Sequence, residues 1–262
     1  MICLSKNKSD PFINDFAKGN NFPIVDCVDI DTPEPIIFRS IVKKELITYR
    51  LENNLPFYYM DSGYFGNYKT PNNPFGKKLW VRIVKNGLQH NYIKNVPDDR
   101  WKKHFNYNLK EQSKSGNYIL LVLPSEKPCK FYGINLDEWI QNTINQIKQY
   151  SDREIKIRKK PQTRSARLTN SIFDDLENCW ATVTYNSIAA VESVMSGVPA
   201  FTLAPTAADP VCDKDLSKLE SPTYQDMDKL YKWVCHLSYG QFHINELKNG
   251  KALRILKDYE SS

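Results

Sequence analysis

A chain of 262 residues, 41% apolar and 25% charged, has the composition of a folded globular protein of one large domain or two smaller ones. No apolar run approaches the roughly 20 residues that cross a bilayer, and the polar start "MICLSKNKSD" holds no secretory hydrophobic stretch, so a cytoplasmic protein without membrane contact is expected. The net charge of +6 is unevenly placed: Lys77–Lys114 carries ten basic residues against three acidic ones, which gives the first half reason to meet an anion. Cys3, Cys27, Cys129, Cys179, Cys212 and Cys235 are scattered without a C-x-x-C pair and read as reduced residues.

In chain order, "FPIVDCVDI" and "LPFYYMD" predict strands, with a helix between them from about Arg39 to Asn53. "LWVRIVKNGLQHNYI" alternates as one or two strands, and the first half reads as a smaller α/β domain. A polar seam at Lys110–Tyr118 marks a linker. Beyond it the alternation is regular. Asn117–Pro124 predicts a buried strand, and Leu136–Tyr150 a helix with Trp139, Ile140, Thr143, Ile144 and Ile147 on one face. "REIKIRKKP" predicts a strand stopped by Pro161, and "TNSIFDDLENC" a helix capped by Thr169 or Asn170. Strand "ATVTY", helix "SIAAVESVMSG" and strand "VPAFTLA" follow, an order that implies a parallel sheet covered on both faces. The C-terminal stretch from Gln225 predicts two helices broken near Gly240, with Gly250 a second interruption.

Open parallel sheets bind ligands at the carboxyl ends of their strands. Three segments of the second half should reach that edge: Pro124-Ser125, Arg158–Arg164 and Tyr185-Asn186-Ser187. A backbone turn, a cationic loop with Arg158, Lys160 and Arg164, and a helix start with hydroxyl donors together suit a diphosphate. Glu192, five residues beyond Ser187, can accept hydrogen bonds from a sugar or ribose diol, or can lie on a solvated helix face. No phosphate-binding G-x-x-x-x-G-K-[ST], no G-x-G-x-x-G, no H-E-x-x-H and no G-x-S-x-G occurs. "DKD" at Asp213–Asp215 reads as a solvated loop in preference to a cation site, and a metal-free mechanism is expected.

"TYNSIAAVESVMSGVPAF" resembles the donor-binding element of GT-B glycosyltransferases: a small polar turn, a helix of the form S-x-x-x-E-x-x-x-x-G, and a Pro-containing strand. Ser187, Glu192, Gly197 and Pro199 match in kind and nearly in spacing, and "KIRKKP" resembles the basic strand end found there. The resemblance covers roughly Asn117–Leu203; the chain is short for the family, and its turn lacks the glycine-rich form common there. It implies two Rossmann-like domains with a cleft between them, here 1–115 for the acceptor and 116–262 for a nucleotide sugar, a UDP-sugar being the expected co-substrate. It places the Ser/Asn turn at the diphosphate and Glu192 at ribose or sugar hydroxyls. "DSGYFGNYKTPNNPFGKKLWVRIVKNGLQHN" is similar to a segment of bacteriophage proteins associated with glycosyltransferases, which points to a viral source; within the glycosyltransferase reading the basic first half favours duplex DNA carrying hydroxymethylated pyrimidines as acceptor.

An acceptor hydroxyl needs a base. Asp61 ends an apolar run and is placed to take that proton, or to cap the turn that follows it; His90 and His104 are rivals. Tyr64, Lys77, Lys78, Arg82, His90, Arg100, Trp101, Lys102 and Lys103 are the candidates for holding the acceptor. Trp80, Tyr92, Trp101, Phe105 and Tyr107 lie among the cations, either to stack on exposed bases or as ordinary core rings beneath a charged face. A glycan acceptor, a non-enzymatic nucleotide or nucleic-acid binder, and a sugar epimerase of the same architecture are the other readings.

Overall fold

The computed structural model describes residues 1–41, 43–68, 73, 75–160 and 171–261. In the first part of the chain these form β1 (Ile2–Leu4), α1 (Pro11–Asn20), β2 (Ile24–Val25), β3 (Ile36–Arg39), α2 (Lys44–Glu52), β4 (Phe57–Ser62), β5 (Trp80–Lys85) and α3 (Asp99–His104). There follow β6 (Tyr118–Val122), α4 (Glu126–Tyr132), α5 (Leu136–Tyr150), β7 (Glu154–Arg158), α6 (Ile172–Leu176), β8 (Cys179–Thr184), α7 (Ala189–Met195) and β9 (Ala200–Thr202). The chain ends in α8 (Met227–Tyr239), β10 (Gln241–His243), α9 (Ile244–Lys248) and α10 (Lys251–Ser261).

Two compact units divide these elements. One comprises Met1–His90, Asp99–Phe105 and Cys235–Ser262; the other comprises Asn91–Asp98 and Asn106–Val234. The C-terminal segment, expected with the second domain, thus belongs to the first unit, and residues 106–115, expected with the first, belong to the second. No helix among the described residues is long and apolar enough to cross a membrane.

The first unit is built on a mixed sheet in the order β10-β5-β4-β3-β1-β2. β2, β1, β3 and β4 run parallel, while β5 is antiparallel to β4 and β10 to β5. Its sheet has more strands than that of the second unit, six against four among the described residues. α1 forms because Asp10 accepts from the amides of Phe12 and Ile13, and Pro11 supplies a pre-set first turn. Its Ile13, Phe16 and Ala17 pack on Cys3, Ile37, Tyr58 and Met60 of one sheet face. Phe242, Leu247, Ala252, Leu253 and Leu256 from the end of the chain complete that core.

The second unit carries an all-parallel sheet, β7-β6-β8-β9, with helices on both faces as the alternation predicts. Ile119, Leu121, Ala181 and Val183 face Ile147 of α5, whereas Leu120 and Val122 face Ile172 and Leu176 of α6 and Ala189 of α7. α6 is capped by Ser171, whose hydroxyl accepts from Phe173; Thr169 and Asn170, the expected caps, lie outside the described residues.

Candidate functional site

Parallel pairing brings the ends of β7, β6 and β8 to one rim, with Val122 in register with both Arg158 and Thr184. Ser125, Arg158 and Tyr185–Ser187 therefore share an edge. Ser125 starts α4 through its carbonyl, which accepts from Cys129 at 3.2 Å, and its hydroxyl makes no capping bond. The hydroxyl of Ser187 accepts from Ala189 at 3.2 Å and opens α7. Tyr185 sits edge-on to Tyr132 and Trp139, with ring centroids 5.4 and 6.3 Å away, so half-buried aromatics flank the rim.

Arg158 pairs with Asp175 and lies within the field of Glu192 and Asp174. Burial pulls its guanidinium below the ordinary arginine value, and the two latter carboxylates work against that. The structure thus puts the predicted Arg158 and Glu192 in one electrostatic cluster, and an incoming phosphate would compete with Asp175 for the arginine. Asn186 and Glu192 are half-buried, and Lys160 is exposed. Arg164 lies outside the described residues.

In the first unit, Asp61 is the penultimate residue of β4 at the corresponding rim, its side chain 32% exposed. Tyr59, two residues back on the same strand face, donates its hydroxyl to Oδ2 at 2.6 Å. The amide of Ser62 donates to Oδ1 at 2.7 Å. Arg82, in cross-strand register with Asp61, places Nη2 3.7 Å from Oδ2 and donates from Nη1 to the Ser62 carbonyl at 2.7 Å. Burial pushes the carboxyl up, but Arg82, Tyr59, the Ser62 amide and Arg39 together hold it below the usual carboxylate range. Asp61 is therefore ionised at neutral pH.

Two neighbours of this rim carried no signal in the sequence. Arg39 ends β3; its Nη1 donates to Oδ2 of Asp10 at 2.9 Å and its guanidinium lies 4.5 Å from the centre of the Phe12 ring. Ser40 adopts φ +74°, an unusual left-handed conformation for serine, and its amide donates to the Met60 carbonyl at 3.1 Å. The positions could have been found only by knowing that β1 and β3 are neighbours.

Of the residues predicted to hold an acceptor, Lys77, Lys78, Lys102 and Lys103 are exposed. The others are interior. Tyr64 and Trp101 are each 1% exposed, and Arg82, His90 and Arg100 are buried. The Tyr64 hydroxyl bonds Nδ1 of His90 at 3.0 Å, and burial, His236 and Arg82 hold that histidine well below its ordinary value. Arg100 makes a two-point pair with Glu246 at 2.7 and 3.0 Å and donates to the carbonyls of Ser238 and Gln241. Trp80, Trp101 and Phe105 join Phe65 in an aromatic core and offer no face for stacking a base. His104, the other rival base, is held below its ordinary value by burial and Arg100. Asp213 of "DKD" is occupied by Thr223, and Asp215 caps a short turn at Ser217.

These features define an α/β protein of two units, each with parallel strands that end in polar rims. Its fold is shared with a β-Kdo 2,4-transferase, KpsC of Thermosulfurimonas dismutans: the alignment covers 94% of this chain and 97% of that one, with a TM-score of 0.53 and 11% identity. A β-Kdo 2,7-transferase, also KpsC of T. dismutans, aligns over 95% of this chain and 99% of its own, with a TM-score of 0.48 and 12% identity. No protein-family model matches the sequence, and no curated protein is similar to it.

Proposed function

We propose that the protein is a glycosyltransferase of the GT-B arrangement, moving a sugar from a nucleotide-sugar donor to a hydroxyl acceptor. One observation carries the reading: a fold spanning 94% of the chain is shared with a protein described as a Kdo transferase. The two rims support it. Ser125, Arg158, Lys160, Tyr185, Asn186, Ser187 and Glu192 supply the donor side, and Asp61 the acceptor side.

In this reading the acceptor oxygen attacks the anomeric carbon as the bond from that carbon to the leaving phosphate oxygen breaks. Asp61 takes the hydroxyl proton, and Arg158 with Lys160 balances the charge released on the nucleotide. A single base and one displacement give inversion. The donor nucleotide is taken to be UDP, and CMP- and GDP-linked sugars belong in the same test. DNA loses part of its support because Trp80, Trp101, Phe105, Arg82 and Arg100 are buried; the exposed Lys77, Lys78, Lys102 and Lys103 keep it in the assay.

Nucleotide release from UDP-, GDP- and CMP-sugars, Kdo donors included, tests the reading with oligosaccharides and with hydroxymethylated duplex DNA, each product being weighed by mass spectrometry. Release with a sugar-sized mass gain on an acceptor is expected. Asp61→Asn should lower turnover by about 10²–10⁴-fold while leaving donor affinity unchanged. Absence of release with every donor would return the protein to the class of binders. A DNA acceptor also predicts binding that falls steeply with salt.

A further inference from the structure

We propose that the carboxyl rim of the first sheet binds an acidic saccharide, with Arg39 taking the sugar's carboxylate or phosphate beside the hydroxyl that Asp61 deprotonates. The role of Asp61 rests on the transfer reading above; the anion site rests on the geometry of the rim itself.

β1, β3 and β4 are parallel neighbours, so the loops after them leave from one edge, and antiparallel β5 begins at that same edge. Lys6 and Lys8 follow β1, Arg39 ends β3 with Lys43 and Lys44 just beyond, and Lys77 and Lys78 precede β5. The acidic groups on these segments and on the loop after β2 include Asp10, Asp26, Asp29, Asp31, Glu45 and Asp61, and two of them are already matched, Asp10 by Arg39 and Asp61 by Arg82. Lys6, Lys8, Lys43 and Lys44 form no ion pair among the described residues. Lys6, Lys8, Lys43 and Lys44 thus add positive charge to the rim beside Arg39.

Arg39 is the fixed element of this field. The Asp10 bond and the Phe12 ring set the plane of its guanidinium, its side chain is 22% exposed, and it makes no second hydrogen bond among the described residues. A planar, pre-oriented fork with donors to spare is what carboxylate and phosphate recognition requires. Arg39 is in register with Met60 and lies on the α1 side of the sheet, whereas Asp61 is in register with Arg82 on the opposite side. A ligand reaching both must lie across the sheet edge. With strands about 4.8 Å apart, the cations after β1 and β3 come within about 10 Å of β4. That is the scale of one or two sugar rings. A duplex needs a long cationic track, and of the candidate stacking rings Trp80, Trp101 and Phe105 are buried while Tyr92 is exposed.

The test is equilibrium binding of the full chain to immobilised oligosaccharides of matched length that are neutral, uronic-acid-containing or phosphorylated, with a duplex DNA of 20 base pairs, roughly two helical turns, as a separate probe. Acidic saccharides should bind and neutral ones should not, and the affinity should fall about tenfold or more on Arg39→Met and in about 0.5 M salt. Because Arg39→Met also loosens the cap of α1, a second variant changes only exposed or half-exposed lysines: Lys6→Ser, Lys8→Ser, Lys43→Ser and Lys44→Ser together should weaken binding several-fold. Uronic-acid and phosphate arms distinguish the source of the anion. Equal binding of neutral and acidic saccharides, no saccharide binding, preference for the duplex, or full affinity in both variants would overturn the proposal. Asp61→Asn should keep the binding. Binding of acidic saccharides without nucleotide release from any donor would remove the transfer reading and leave the anion site; turnover on neutral acceptors alone would do the reverse.

Discussion

Asp61 is prepared by residues that reach it through sheet geometry. Tyr59 shares its strand face at a period of two, and Arg82 stands opposite it on β5. Burial is the largest influence on the carboxyl, and Arg82 is the largest of those that oppose it. Arg82→Met is therefore expected to raise the Asp61 pKa. The sign follows from the chemistry: the base form is the active one, so activity is lost as pH falls through this pKa, and raising it moves the acid limb to higher pH. Turnover against pH in the parent and the variant measures the effect, and coincident acid limbs would detach Arg82 from the charge state of the base. Asp61 itself was legible because a carboxylate closing an apolar run reads as a strand end. Arg39 and Tyr59 were not, since their roles depend on which strands are neighbours, and "FYYMD" looks the same whether Tyr59 is core or donor. The basic, aromatic-rich stretch misled for a physical reason: Arg82 and Arg100 are satisfied by Asp61, Glu246 and backbone carbonyls, a state composition cannot distinguish from a charged surface.

At the scale of elements, long periodic segments were readable and short ones were not. The stripe from Trp139 to Ile147 located α5 at its observed bounds, and Gly197 marked the turn after α7. β1 and β10 span only Ile2–Leu4 and Gln241–His243, too few residues for alternation to show, so their sheet positions come from tertiary pairing. Yet β10 fixes the loop that follows Asp61. The Gln241 carboxamide oxygen accepts from the amides of Tyr64 and Phe65 at 2.7 and 3.3 Å, and its nitrogen donates to the Phe65 carbonyl at 3.2 Å. Gln241→Leu keeps the volume and leaves these buried groups unpaired, at a cost of about 2–4 kcal/mol on the usual penalty per lost partner. Denaturant unfolding should show that loss. A change below about 0.5 kcal/mol would mean that the loop finds other partners.

For the whole molecule, the consequential feature is that the first unit is closed by the last segment of the chain. Phe242, Leu247, Ala252, Leu253 and Leu256 fill the core beneath β1, β3 and β4, and Glu246 neutralises the buried Arg100. Without that segment the sheet face loses its apolar cover, and Arg100 is left as a buried charge with no counter-ion, a defect that costs about 3–5 kcal/mol by itself. The second unit draws its cores from Tyr118 through Leu219, all before its last residue, Val234. A chain ending at Val234 is therefore expected to unfold in one half only. In hydrogen exchange the amides of β3, β4 and β5 should lose protection by about a thousandfold or more, while those of β6 and β8 keep theirs. Donor binding, which the proposed function assigns to the second unit, should survive in the same shortened chain, and acidic-saccharide binding should vanish with the first. Retained protection in β3–β5 would show that the N-terminal elements fold without their C-terminal cover. Loss of protection in β6 and β8 as well would mean that the two units fold as one cooperative body.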